Sequence, residues 1–154
     1  MNLGRLSLLT LALLVAGVAA YVRLAPSDSV RWHIDPADPA LVPGEAGLLV
    51  RPEGGDIAGP VFDHTPGALL ATFDAVARAT PRTRVLAGSV EEGRITYVTR
   101  SALWGFPDYT TVETIPAEGG ARLMVYARSR FGGNDWGVNR ARVEAWLARL
   151  GSGA

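Results

Sequence analysis

An apolar run near the amino terminus constrains this chain more than any other feature. Seventeen residues, from Leu6 to Val22, carry no charge, and Arg5 and Arg23 close the run at its two ends. As a helix, the run would be about 25 Å long, just short of the hydrocarbon core of a bilayer. A helix that is apolar on every face needs either a membrane or a large surrounding protein, and a chain of 154 residues is too short to supply the latter. Residues 6–22 are therefore predicted to contact a membrane.

Two interpretations of this leader, residues 1–23, remain open. A cleaved signal peptide would carry small residues before the cut, and Val18–Ala20 in front of Tyr21 meets that requirement. An uncleaved anchor would carry interfacial flanks, for which Tyr21, Arg23 and Trp32 are suited. We favour the anchor. The expected location is the bacterial inner membrane with the domain on the periplasmic side, or the soluble periplasm if the leader is cleaved.

Composition excludes several functional classes. All 15 basic residues are Arg and are balanced by 15 acidic residues, which argues against a nucleic-acid binder. The absence of Cys excludes disulfides, Cys-ligated metals and cysteine nucleophiles. Neither His33 nor His64 lies in a metal-binding spacing, and a triad of Ser101, His64 and Asp108 lacks a nucleophile elbow. We therefore predict no catalytic residues, no metal and no cofactor.

The chain after the leader divides into a spacer and one domain. Residues 24–46 contain four Pro and four Asp or Glu, a composition typical of an extended spacer that would lift the domain off the membrane. Residues 47–154 are predicted to form a single domain. Within the whole region after the leader, residues 24–93 are acidic and residues 94–154 are basic, so the two parts are expected to pack against each other.

Hydrophobic periodicity predicts an α+β fold. The predicted elements are a strand at 47–51, a helix from the Thr65-Pro66 cap to Thr80-Pro81, a hairpin of 83–90 and 94–101 turning at Gly93, a strand pair at 109–115 and 121–130, and a helix at 138–150. Short turns between consecutive strands indicate an antiparallel sheet. We expect the two helices to pack on one face of it as a two-layer sandwich.

Strand alternation places several polar residues together. If paired positions in the second strand pair add up to 236, Asp108 lies opposite Arg128. Guanidinium groups bind carboxylate or phosphate through two hydrogen bonds, so Arg100, Arg128 and Arg130 form a candidate anion site. The alternative is a set of exposed Arg–Asp pairs, which contribute only about 0 to 1 kcal/mol each.

Two loops carry further candidates. Between the last strand and the last helix, Asn134 or Asp135 is predicted to cap the helix, with phosphate binding as the less favoured alternative. The segment Leu103–Asp108 is predicted to be a tight aromatic bend. If Trp104 is exposed there, it marks a contact surface.

Four stretches of the second half resemble a known family. They read ITYVTRS at 95–101, GFPD at 105–108, VYARSR at 125–130 and GVNRARV at 137–143. This order resembles the family called domain of unknown function 1499, with a clear match over about residues 80–150. The resemblance implies a small domain, often preceded by a leader or membrane segment, and it supplies no reaction. It favours as site residues Arg100, Asp108, Arg128, Arg130, Asp135 and Asn139.

Two functions remain as expectations. The first is a membrane-tethered, extracytoplasmic binding or structural module whose Arg-rich patch meets an anionic ligand or an envelope protein. The second is a small envelope hydrolase that uses Asp108 or Asp135 beside Arg100 and Arg128. The sequence does not indicate whether the protein is a monomer or an oligomer.

The predicted location is tested by a reporter fusion. Alkaline phosphatase fused after Ala154 should be active, because that enzyme matures only outside the inner membrane. Activity obtained only from a cytoplasmic reporter at the same position would contradict the predicted orientation.

Overall fold

The computed structural model describes residues 3–42, 44, 47–131 and 133–151, so parts of the predicted leader, spacer and domain ranges lie outside the described residues. The helices are α1 (Leu3–Leu24), α2 (Ser29–Trp32), α3 (Pro66–Arg78) and α4 (Val138–Gly151). The strands are β1 (Gly47–Arg51), β2 (Ile57–Ala58), β3 (Val61–Phe62), β4 (Thr83–Ser89), β5 (Arg94–Arg100), β6 (Pro107–Ala117) and β7 (Gly120–Ser129). The predicted α+β class is confirmed.

The described strands form one mostly antiparallel sheet. Its main path runs β2-β1-β7-β6-β5-β4, with β3 beside β7. The short contact between β1 and β2 is parallel. Both β2 and β3 have two residues and were not predicted, because so short a strand leaves no periodicity in the sequence.

Helices α3 and α4 cover one face of the sheet, which we call the helix face. Thr65 caps α3 by accepting a hydrogen bond from the Ala68 backbone, and Pro66 occupies its first turn, as predicted. At the centre of this layer, the Trp146 ring meets Phe73 at 5.5 Å and Tyr97 at 6.1 Å between ring centroids. The main core therefore lies between the two helices and the sheet.

The register between β6 and β7 differs from the prediction by one residue. Asp108 pairs with Ser129 and Tyr109 pairs with Arg128, so paired positions add up to 237. Strand β6 runs further than predicted at both ends, whereas β7 begins and ends one residue earlier than predicted. The turn between Ala117 and Gly120 is therefore shorter than the predicted one. A shift of one residue sends every side chain of one strand to the other face. Asp108 and Arg128 therefore lie on opposite faces of the sheet.

The second face of the sheet is covered by residues 25–36, which we call the strap. This segment falls in the predicted spacer, yet it packs on the sheet and is not extended away from it. Trp32 is 7% exposed, and its ring stacks on Tyr109 with centroids 3.9 Å apart and planes 8° apart. Trp32 is therefore a core residue and not the interfacial flank predicted for it. The strap gives the domain a third layer.

Polar contacts fix the strap along its length. The Ser27 hydroxyl lies 2.8 Å from the Tyr109 hydroxyl, and the His33 Nδ1 lies 2.8 Å from the Thr96 hydroxyl. Asp35 forms an ion pair with Arg94 at 2.8 Å. The last contact joins the acidic and basic parts of the chain, as their opposite charges predict.

Helix α1 leads directly into the strap. It is the one described helix long and apolar enough to cross a membrane, over Gly4–Leu24. Its side chains are exposed over most of its length, but Val22 in its last turn is only 4% exposed, and Ala25 directly after it is also buried. The helix is therefore fastened to the domain at its carboxyl end.

Replacing Trp32 by Ala is expected to lower the free energy of unfolding by about 3 to 5 kcal/mol, because it removes a buried indole and its stack on Tyr109. Denaturant unfolding of the full chain in a mild detergent, followed by circular dichroism, measures the change. Val30→Ala is the matched control, since Val30 lies on the same short helix and is 89% exposed. Equal effects of the two substitutions would contradict the packing described for the strap.

Stability should also depend on the protonation of His33. Burial, and secondly the nearby Arg94, lower the pKa of His33 below its ordinary value of 6.5, against the opposing influence of Glu92 and Glu113. Below pH 6.5 the unfolded chain therefore takes up a proton that the folded domain resists, and stability falls as the pH falls. Denaturant unfolding between pH 7.5 and 5 should show a smaller loss in His33→Gln than in the parent. The exposed His64 supplies the control, because His64→Gln should keep the full pH dependence.

Candidate functional site

The three predicted arginines lie on the strap side of the sheet. Arg100 pairs with Pro107 across β5 and β6, and the Arg130 backbone donates to the carbonyl of the same Pro107. Arg128 lies opposite Tyr109. The structure therefore places Arg100, Arg128 and Arg130 on one face, as strand alternation predicted.

Each of these arginines donates to backbone carbonyls of its own chain. Arg100 Nη1 donates to the Gly105 carbonyl at 2.9 Å and to the Val22 carbonyl at 3.4 Å, and Arg130 Nη1 donates to the Pro26 carbonyl. The last carbonyls of a helix have no partner within it and form the negative end of its dipole. A guanidinium group is therefore a suitable partner for the carboxyl end of α1 and the start of the strap.

Arg128 is the most buried of the three. Its Nη2 donates to the Trp32 carbonyl at 2.6 Å, and its guanidinium carbon lies 5.3 Å from the centroid of the Trp32 ring and 4.4 Å from that of Tyr126. Burial lowers the pKa of Arg128 to about 10, so the group stays charged at neutral pH. Arg128 thus holds the strap down and offers little to an outside ligand.

The other three predicted site residues, Asp108, Asp135 and Asn139, lie together on the helix face, where α4 begins. The Asp108 carboxylate accepts from Ser129 Oγ at 2.7 Å and from Arg142 Nη2 at 2.8 Å. Arg142 Nη1 donates to Asn139 Oδ1 at 2.8 Å, and Asn139 Nδ2 donates to Ser129 Oγ at 3.1 Å. These four side chains close a ring of hydrogen bonds that fastens α4 to the sheet.

The hydrogen bonds of Asp108 and Asp135 determine what these two carboxylates can do. Both oxygens of Asp108 are engaged by half-buried donors, and neither Ser101 nor His64 is among their partners. Asp135 accepts from the Gly137 and Asn139 backbones, so it caps the start of α4 as predicted. Because Arg128 lies on the opposite face, the predicted grouping of Asp108 with Arg128 is wrong. Asp108 therefore belongs to a structural contact between α4 and the sheet, on the face opposite to Arg128.

A separate cavity adjoins Arg100, and we call it the Arg cavity. Its volume is about 510 Å³, and it lies at the ends of β4 and β5 that are nearest to α1. Of the described residues that line it, four are arginines and none is acidic; the lining residues are Arg23, Arg82, Thr83, Arg84, Val98, Arg100, Ser101, Ala102 and Gly105. A surface of this kind attracts anions, since the positive charges are not neutralised locally.

Three of the cavity arginines, Arg23, Arg82 and Arg84, are exposed. Arg82 and Arg84 are exposed and form no ion pair with a carboxylate in the described chain. Arg82 adopts a φ of +61°, a left-handed conformation that costs free energy in a residue other than glycine. Its Nε donates to the Arg100 carbonyl at 3.1 Å. Backbone strain at this position therefore coincides with the wall of the Arg cavity.

Sequence reasoning missed several residues that matter here. Arg142 lies three positions after Asn139 on α4, a helical spacing from which its place beside Asn139 could have been found. Arg84 lies in β4 and Arg82 directly before it, but no predicted partner drew attention to either residue. Within the described residues, no group of three or more His, Asp or Glu side chains lies close enough to hold a metal ion.

Comparison with known protein families gave a match. A family described as "Protein of unknown function (DUF1499)" matches residues 35–150. The match begins well before the stretches that carry the resemblance in the sequence, and it includes the end of the strap, the whole sheet and both packed helices. Searches of curated proteins and of solved structures gave no match. Since the match spans about three quarters of its length, the chain belongs to the DUF1499 family of proteins of unknown function.

Proposed function

We propose that the protein is a membrane-anchored, non-enzymatic module that binds an anionic ligand in the Arg cavity. The observation that carries this proposal is the gathering of four guanidinium groups around one cavity with no acidic residue among its described lining. Arg100, one of the predicted site residues, is part of it. The proposed site is thus shifted from Arg128 and Arg130, whose donors engage the strap, to the neighbouring Arg23, Arg82 and Arg84.

The shape and lining of the Arg cavity favour a phosphate-bearing ligand. Guanidinium groups bind phosphate through parallel hydrogen bonds and remain charged at every physiological pH. Val98 and Ala102 add apolar surface beside the arginines, which suits an amphiphilic molecule. Such a phosphate has two sources, a lipid headgroup or a soluble phosphate compound.

The proposal also retains an uncleaved α1. The potential cleavage point before Tyr21 lies inside a continuous helix, one residue from the buried Val22. In the folded chain the apolar helix is thus continuous with a segment that packs on the domain, which supports an anchor that stays attached. The proposal keeps the domain on the periplasmic side of a bacterial inner membrane, for which the phosphatase fusion is the test.

Ligand binding should raise the melting temperature of the full chain in a neutral detergent, because a ligand held only by the folded state stabilises it. One arm adds the anionic lipid phosphatidylglycerol to the micelles, and the other adds inorganic pyrophosphate. A rise in the first arm alone identifies a headgroup, and a rise with pyrophosphate identifies a soluble ligand. No rise in either arm would overturn the proposed site.

Three variants make this test specific. Arg84→Ala removes an exposed charge from the Arg cavity, and Arg82→Gly removes another while relieving the left-handed backbone, which glycine adopts without strain. Both should lose most of the ligand-induced rise without a lower melting temperature of their own. Arg140→Ala removes another exposed charge, on α4 and outside the cavity, and should keep the full rise. An equal loss in all three would mean general electrostatic attraction and no site.

A further inference from the structure

We infer that the domain lies directly on the bilayer surface, with the loops at the α1 end of the sheet inserted among the lipid headgroups. The inference rests on the proposed membrane anchor and concerns a different surface from the Arg cavity. That surface, which we call the aromatic end, consists of Tyr21, Leu103, Trp104, Phe106, Phe131 and Trp136. Its proposed partner is the interfacial layer of a lipid bilayer.

The depth of α1 in a membrane sets the depth of these loops. The candidate span Gly4–Leu24 has 21 residues and is about 31 Å long at 1.5 Å per residue. Its uncharged part, Leu6–Val22, fits in the hydrocarbon core of a bilayer, and Arg5 and Arg23 lie near the two boundaries of that core. When α1 spans the bilayer, its last turn therefore reaches the boundary between hydrocarbon and headgroups. Whatever touches that turn lies at the same depth.

Both loops of the aromatic end touch the last turn of α1. Arg23 Nη2 donates to the Leu103 carbonyl at 2.7 Å, and the Tyr21 ring meets Phe131 edge to face at 6.1 Å between centroids. Phe106 packs on the same Phe131 ring at 5.9 Å. Gly105 has a φ of +74°, and a Cβ atom there would lie 2.9 Å from Arg23 Cγ, so the loop passes closely beneath that side chain.

The side chains of the aromatic end are those that bilayer interfaces favour. Trp136 is 90% exposed, and its backbone has a left-handed φ of +56°, which leaves an indole in solvent at a cost in strain. Trp104 is 42% exposed, and Leu103 and Phe106 beside it are also exposed. Tryptophan and tyrosine concentrate where hydrocarbon meets headgroups. An exposed cluster of this kind beside a spanning helix is accounted for by lipid contact.

Charge supports the same orientation. Arg23 lies in the last turn of α1 and lines the Arg cavity together with Arg100 from the adjoining strand end. A bilayer containing anionic lipid attracts such side chains at the level of its phosphates. The aromatic end and the Arg cavity would then face the membrane together, the rings inserted and the guanidinium groups at the headgroups.

Site-directed spin labelling of the full chain tests this docking, because the sequence contains no Cys and single labels need no prior replacement. Labels enter through Trp104→Cys and Trp136→Cys in vesicles of phosphatidylcholine and phosphatidylglycerol. Collision rates with oxygen, which enters the bilayer, are compared with those of a nickel chelate, which stays in water. The ratio of oxygen to chelate collisions should be several-fold higher at both positions than at an aqueous site.

Two further labels serve as controls. Glu118→Cys lies in the exposed turn at the other end of β6, and an 11-residue strand separates the two ends by roughly 35 Å. It should behave as an aqueous site. Leu13→Cys lies in the middle of α1 and should be accessible to oxygen and shielded from the chelate.

The pattern of the labels separates the possible failures. Aqueous behaviour at Trp104 and Trp136 with Leu13 in the bilayer would overturn the docking and leave the anchor in place. An aqueous Leu13 would overturn both the anchor and the docking that rests on it. Labels at Trp104 and Trp136 shielded from both collision partners would show that a second protein copy covers the aromatic end, which also overturns lipid contact.

Discussion

The stack of Trp32 on Tyr109, held by the guanidinium of Arg128, is the contact on which the rest of this structure depends. An antiparallel sheet whose central strands are buried on both sides must be covered twice, and α3 with α4 covers it only once. The strap supplies the second cover through a single large aromatic side chain. Because the strap follows α1 directly, the same contact that completes the domain also draws the end of the apolar helix against it.

Arginine has an unusual role in this fold because the chain has no lysine. The guanidinium groups of Arg100, Arg128 and Arg130 donate hydrogen bonds to neutral backbone carbonyls of α1 and the strap. A guanidinium group suits this role, since it presents several donors in one plane and keeps its charge when buried. Arg82 and Arg84, which are exposed, lie at the start of the edge strand β4, where the sheet ends and no further layer needs fastening.

The sequence was sufficient for the class of fold and for most elements, because their signals are local: the Thr65-Pro66 cap, the turn at Gly93 and the apolar stripe of α4. The candidate site was harder to predict. Its grouping depended on a register between β6 and β7, and a turn assumed longer than the real one reversed the face of Asp108 relative to Arg128. The strap was missed for a related reason. The prolines and acidic residues of the strap indicate a segment with little regular structure. They do not indicate whether Trp32 packs on a strand that is distant in the sequence.

The burial of Val22 has a consequence for how the length of this chain can vary. With no slack between α1 and the strap, inserting or deleting one residue near this junction would rotate the domain by about 100° relative to the helix and move it by about 1.5 Å. From Gly4 to Val18 the side chains of α1 are exposed, so a change of length there leaves the orientation of the domain untouched. Insertions and deletions should therefore be tolerated at the start of the apolar helix and rejected at its end.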